Sequence, residues 1–248
     1  MSFSFSRALS FLFVKEYNCI VCDRELPKPG RHRICGQCYG MMEVTGQKGC
    51  LKCGRMIFSE AQYCLDCQNR EQLFDRAISP FCYSGPAATL VLNLKFRGKK
   101  YLVEPMARFM TDKLLEEELV ADLVLPVPLH PNRKKERGFN QSELLGAEIA
   151  NALKLPLDLT SVRRIRDTAA SSSLAGGRKE REENMKDAFE VTDRSPIEGK
   201  IVLVADDVLT TGTTANEVAK VLKKAGAKRV FVLTFAATRE KPPLQEGY

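Results

Sequence analysis

The sequence predicts an α/β protein, a parallel sheet with flanking helices, carried behind a small cysteine-rich metal module. Three observations lead there. Apolar runs alternate with amphipathic stretches from about residue 78 onward, the pattern of strands buried on both faces with helices laid over them. A strand–loop–helix–strand unit is legible over 201–235. Eight of the nine cysteines form four Cys-x-x-Cys pairs, all before residue 68. The expected division is residues 1–75 for an N-terminal helix and a double zinc ribbon, and 76–248 for the α/β domain. A chain of 248 residues, 44% hydrophobic and 28% charged, suits a small and a medium soluble unit.

Residues 3–14 carry one charge, Arg7, and read as an amphipathic helix docked on the body. Lys15 and Glu16 follow directly and no small-residue cleavage site is present, which argues against a signal peptide. No apolar run approaches the roughly 18 residues needed to cross a bilayer. Together with closely paired thiols, which in a reducing compartment serve as metal ligands, this places the chain in the cytoplasm with no membrane span.

The pairs are Cys19/Cys22, Cys35/Cys38, Cys50/Cys53 and Cys64/Cys67. Two residues between thiolates let both sulfurs of a tight turn face one ion at about 2.3 Å, and two such turns complete a tetrahedral site suited to zinc. Local loop closure favours sequential pairing, one ion for Cys19, Cys22, Cys35 and Cys38 and another for Cys50, Cys53, Cys64 and Cys67; a crossed arrangement of first and third pairs is also geometrically possible. With every position filled by cysteine, both zinc ions would be structural, and in a segment poor in aliphatic residues metal binding supplies folding free energy. Gly54 suits a knuckle turn at positive φ. His32 is expected at the surface rather than on the metal, and Cys82 as a buried free thiol.

In the α/β domain, 123–127 is a continuous apolar strand. A helix opens at Asn140, with Glu143 completing a capping box and Leu144, Leu145, Ile149, Ala152 and Leu153 at helical spacing. Lys95 and Arg97 end an apolar helix, where cations complement its dipole. The clearest unit is the strand 201–204, ending in Asp206 and Asp207. A loop of Thr210, Thr211, Gly212, Thr213 and Thr214 follows, then a helix expected to be capped by Thr214 and Glu217. Val218, Val221, Leu222 and Ala225 line one face of that helix, Gly226 stops it, and a strand follows at 230–235.

That loop is built for a phosphate monoester. Its amides lie just before a helix N-terminus, where orphan N–H groups and the macrodipole attract an anion, the threonine hydroxyls add donors, and Gly212 permits close approach. Two carboxylates just ahead can accept hydrogen bonds from vicinal hydroxyls. A phosphate site and a diol site one turn apart describe a ribose 5-phosphate. The net charge of +7 points to anionic partners, whether phosphorylated metabolites or nucleic acid. The basic run Arg133, Lys134, Lys135 and Arg137 reads either as a solvated loop or as a contact to pyrophosphate or nucleic-acid phosphate. Arg163, Arg164 and Arg166 are candidates for a hood over the site. No Gly-x4-Gly-Lys-Ser/Thr run exists, which excludes a P-loop ATPase, and two histidines leave little for a serine–histidine triad.

The run 202–214 resembles the phosphoribosyl pyrophosphate (PRPP) motif of type I phosphoribosyltransferases. Leu94-Lys95-Phe96-Arg97-Gly98, Arg137-Gly138-Phe139-Asn140-Gln141 and Asn184 with Ala188-Phe189 resemble the ComF family of competence proteins, in which a zinc ribbon precedes such a domain. The resemblance spans nearly the whole chain. It implies a type I phosphoribosyltransferase fold, a Rossmann-like parallel sheet with flanking helices, preceded by a small zinc-ribbon module with all-cysteine sites. It further implies that Asp206 and Asp207 hold the ribose hydroxyls and serve catalysis, and that Val208, Leu209, Thr210, Thr211, Gly212, Thr213 and Thr214 form the 5-phosphate loop. Val127, Pro128 and Leu129 would then form the pyrophosphate loop, with Lys95 and Arg137 as further PRPP contacts and Mg2+ travelling with the pyrophosphate. The family usually carries a glutamine near Ser171, which this chain lacks, so no contact is carried over from that segment. Thr210 stands where 6-oxopurine transferases have an aspartate, which disfavours purine salvage. Two functions follow from the resemblance. One is a competence factor handling imported single-stranded DNA during natural transformation, with PRPP and DNA-uptake or recombination proteins as partners. The other is an active phosphoribosyltransferase, a pentosyl-transferring glycosyltransferase, using PRPP and a small-molecule acceptor.

Overall fold

The computed structural model describes residues 18–28, 30–46, 49–168 and 177–240; the helix expected over 3–14 and the segment around Ser171 lie outside them. In chain order the elements are the short helices α1 (Gly36–Gly40) and α2 (Leu65–Asn69), strands β1 (Arg76–Ile78) and β2 (Phe81–Cys82), helices α3 (Gly85–Arg97) and α4 (Val103–Glu116), strand β3 (Leu123–Pro126), helices α5 (Pro131–Arg137) and α6 (Gln141–Leu153), strand β4 (Val162–Arg164), helix α7 (Gly177–Met185), strands β5 (Phe189–Val191) and β6 (Ile201–Leu209), helix α8 (Thr213–Lys224) and strand β7 (Arg229–Ala237). β3, β6 and β7 lie side by side, with β1 and β2 both pairing β7, and every pair is parallel. β4 and β5 form a separate antiparallel ribbon that no pattern in the sequence announces.

Strand alternation divides the core into two layers. Leu203, Ala205, Leu233 and Phe235 face α3, α4 and α6, whereas Val202, Val204, Val230 and Val232 face α8 and the second cysteine cluster. Full burial on both faces explains why these strands read as continuous apolar runs. Gly146 is where α6 crosses β3: a Cβ there would meet Pro126 Cγ at 2.4 Å, so only glycine lets the helix approach this closely.

Several sequence expectations need correction. β6 does not end at the carboxylates; it runs through Asp206 and Asp207 to Leu209, because β7 continues to supply ladder partners opposite Asp206, Val208 and Leu209. The capping box at Thr214 and Glu217 does not form. Gly212 is the N-cap, with φ 78°, so the helix begins two residues early at Thr213, and the Glu217 carboxylate accepts instead from the Asp187 backbone N–H at 2.9 Å. Ala152 is exposed, and Ala150 takes the buried position on α6. His32 is not a free surface residue: its ring stacks on Phe109 at 3.9 Å and bonds Asp112 at 2.8 Å. Asn140 does cap α6, accepting from Ser142 N at 3.0 Å, and Gly226 follows α8 at φ 92°.

Candidate functional site

The first cysteine cluster gathers Cys19, Cys22, Cys35 and Cys38, and the second Cys50, Cys53, Cys64 and Cys67, the sulfurs of each lying within 4.8 Å of one another. Pairing is therefore sequential. Cross-pair separations of 3.8 Å for Cys22 to Cys35 and 3.6 Å for Cys53 to Cys64 match the roughly 3.8 Å edge of a tetrahedron with 2.3 Å zinc–sulfur bonds. The donor set thus fits two structural zinc ions. Crowded thiols cannot all ionise without a cation: Cys53 holds Cys50 far below the ordinary thiol range, while Cys50 pushes Cys67 well above it. Cys82 is fully buried and its thiol is raised by burial, as a free cysteine should be.

A cleft of about 360 Å³ opens over the C-terminal ends of β3 and β6. Asp206, Asp207, Val208, Thr210 and Thr214 form its floor; Val127, Pro128 and Leu129 form one side, and Lys95, Phe96 and Arg137 another. Leu209, Gly212 and Thr213 line a small adjoining recess beneath the loop. Thr211 lines neither, its hydroxyl being bonded to that of Thr213 at 2.8 Å. From the basic run, Arg133 and Arg137 reach the cleft, whereas Lys134 pairs with Glu143 at 2.7 Å and Lys135 is exposed on α5 away from it. Of the three hood arginines, Arg164 lines the cleft, Arg163 pairs with Glu190, and Arg166 bonds the Lys186 carbonyl.

Each side chain is held for a local reason. The α6 start delivers two of them: Asn140 Nδ2 donates to the Val127 carbonyl at 3.0 Å, fixing the loop after β3, and Ser142 Oγ donates to Asp206 Oδ1 at 2.7 Å. Asp207, 3% exposed, pairs with Lys95 at 2.8 Å. Burial, and then the charge of Asp207, pushes the Asp206 carboxyl up to about 6. Burial opposes the charge on Lys95, but Asp207 and Asp206 outweigh it and its ammonium is held above the usual lysine range. Burial lowers both Arg137 and Arg164. Four cations, Lys95, Arg133, Arg137 and Arg164, face two carboxylates, so the cleft carries an excess of two positive charges suited to a multiply charged anion.

Ser142 on Asp206, Tyr83 in the cleft lining and Arg55, whose guanidinium donates to the Thr210 carbonyl, are parts of this arrangement that the sequence reading missed. Ser142 lay in view, two residues past a recognised N-cap; Tyr83 and Arg55 had no local signal.

A cysteine-rich double ribbon feeding a parallel-sheet domain with a carboxylate pair beside a threonine-rich loop defines the class: a zinc-ribbon protein with a phosphoribosyltransferase-type domain. Comparison agrees. Residues 8–68 match the double zinc ribbon domain and 140–248 the phosphoribosyl transferase domain. The chain is 31% identical over 225 residues to DNA utilization protein YhgH of Salmonella typhimurium, covering 89% of this chain and 90% of that one. Competence protein ComFC of Streptococcus pneumoniae is 33% identical over 209 residues, 83% of this chain and 87% of the relative. Competence protein F of Haemophilus influenzae is 28% identical over 222 residues, 87% and 95% respectively. The chain belongs to the ComF family of competence proteins. Among the described residues no helix is long and apolar enough to cross a membrane.

Proposed function

We propose that this chain is a cytoplasmic PRPP-binding protein that handles imported single-stranded DNA during natural transformation, with residues 1–75 as ribbon and 76–248 as ligand-binding domain. The observation that carries the ligand is the meeting of Asp206 and Asp207 with the threonine loop on the floor of one cation-rich cleft. Asp206 and Asp207 would accept from the ribose hydroxyls. Val208, Leu209, Thr210, Thr211, Gly212, Thr213 and Thr214 would surround the 5-phosphate at the α8 start. Val127, Pro128 and Leu129, with Lys95 and Arg137, would receive the pyrophosphate, which magnesium accompanies as an ion fitted to bridging phosphate oxygens. The names of the relatives, competence protein and DNA utilization protein, support the DNA reading. So do the net charge of +7 and the exposed Lys134 and Lys135 beside Arg133 and Arg137.

The carboxylate pair on the cleft floor favours a second reading, an active transferase. There an acceptor nucleophile attacks C1 of the ribose as the bond to the pyrophosphate oxygen breaks. Asp206 and Asp207 stabilise the positive charge developing on the sugar, and Lys95 and Arg137 the negative charge on the leaving group. Two measurements separate the readings. Retention of single-stranded DNA that weakens steeply with added salt, and survives Asp206→Asn, supports DNA handling. Pyrophosphate release that requires an acceptor, and disappears in Asp206→Asn, supports turnover. A protein that neither retains DNA nor releases pyrophosphate would refute both.

A further inference from the structure

The phosphate loop is gripped from behind by the ribbon, at both of its ends. At its start, the Arg55 guanidinium donates to the Thr210 carbonyl, which also accepts from the Thr238 hydroxyl at 3.0 Å. At its end, Asn216 in the first turns of α8 accepts from Leu73 N at 2.9 Å and donates to Gln72 Oε1 at 2.7 Å. A Cβ on Gly212 would lie 3.5 Å from that same Gln72 oxygen.

Arg55 is 7% exposed, and both halves of the second cysteine cluster fix it. Its own carbonyl accepts from Cys50 N at 2.7 Å, closing the Cys50/Cys53 turn, while its guanidinium donates to Asp66, between Cys64 and Cys67, at 2.6 Å. Gly54 beside it has φ 69°, and a Cβ there would strike the Ala77 carbonyl at 2.7 Å, so this turn is pressed directly against β1. Within a planar trans peptide the C=O of Thr210 and the N–H of Thr211 point in opposite directions. Holding the carbonyl toward the ribbon therefore turns the next amide away from it. Among the described residues the first cluster shows no such connection. Its neighbours Arg31 and His32 pair with Asp112 on α4, on the other layer of the core.

We propose that Arg55 is a positioning residue for the phosphate loop, and that through it the second four-cysteine site, and not the first, controls capture of the sugar phosphate. The ligand part rests on the PRPP reading; the loop-ordering part does not. In the zinc-loaded full-length chain, Arg55→Met is expected to leave zinc content and amide exchange in β6 and β7 unchanged, and to speed exchange across residues 210–216. Affinity for ribose 5-phosphate and for PRPP should fall by about tenfold, the scale of one buried carbonyl losing its charged donor. Arg55→Lys, which keeps a cationic donor, should recover most of both effects, and Arg31→Met beside the first cluster should cause neither. Wild-type exchange over 210–216 in Arg55→Met would overturn the proposal, as would Arg55→Lys behaving like Arg55→Met or Arg31→Met matching it. Should the wild type take up neither ligand, the PRPP reading fails, and the exchange comparison alone still confirms or refutes the positioning role.

Discussion

Asp206 is held ionised against its surroundings. Burial and the neighbouring charge of Asp207 raise it to about 6, against relief from Lys95 and the Ser142 hydroxyl. The sign is that of a raised acid: stability is greatest where the carboxyl is protonated, below its ordinary range near 3.8, and is lost as pH rises through about 6. At pH 7 the unliganded protein therefore carries a cost from holding this carboxyl ionised. Asp206→Asn, which can still accept from Ser142, should raise the melting temperature of the unliganded protein at pH 7 while abolishing PRPP binding. A lower melting temperature would show that the charge is not strained. Because the ionised form is the better acceptor for sugar hydroxyls, wild-type PRPP affinity should decline as pH falls from 7 to 5.

At the scale of elements, α6 carries the most site geometry. Its cap tethers Val127 and its second residue holds Asp206. Gly146→Ala would place a methyl against the rigid Pro126 ring, where no flexible chain end can yield. Overpacking of this kind costs about 1–3 kcal/mol, so chemical denaturation should show that loss with an unchanged slope. A variant as stable as wild type would mean that α6 can lift freely from β3. The start of α6 was legible because Asn140 is a strong capping residue ahead of a clear helical period. The reach of β6 was not, since paired charges ordinarily mark a strand's end and only the β7 ladder reveals its continuation. β2, β4 and β5 span two or three residues each, too few for a period to register. The α8 start was displaced by two residues because a left-handed glycine cap competes with threonine, and both stood in the same loop.

Across the whole molecule, the ribbon and the α/β domain share structure. Ala77 N bonds the Lys52 carbonyl at 2.8 Å, Cys82 N the Glu43 carbonyl at 2.8 Å, and Arg70 pairs with Glu182 at 2.7 Å. The cysteine clusters and the carboxylate–threonine cleft could be read from the sequence because their ligands recur at fixed local spacing. The grip of Arg55 on Thr210 spans 155 residues and leaves no such trace. Metal analysis should return two zinc ions per chain; one ion would leave a cluster without its purpose. The most direct test of the proposed sugar-phosphate site is a calorimetric titration with PRPP and magnesium, run on the wild type and on Asp207→Asn. Saturable heat from the wild type, lost or sharply weakened in the variant, is the expected result. No heat from either protein, or equal heat from both, would contradict a ligand held by these carboxylates.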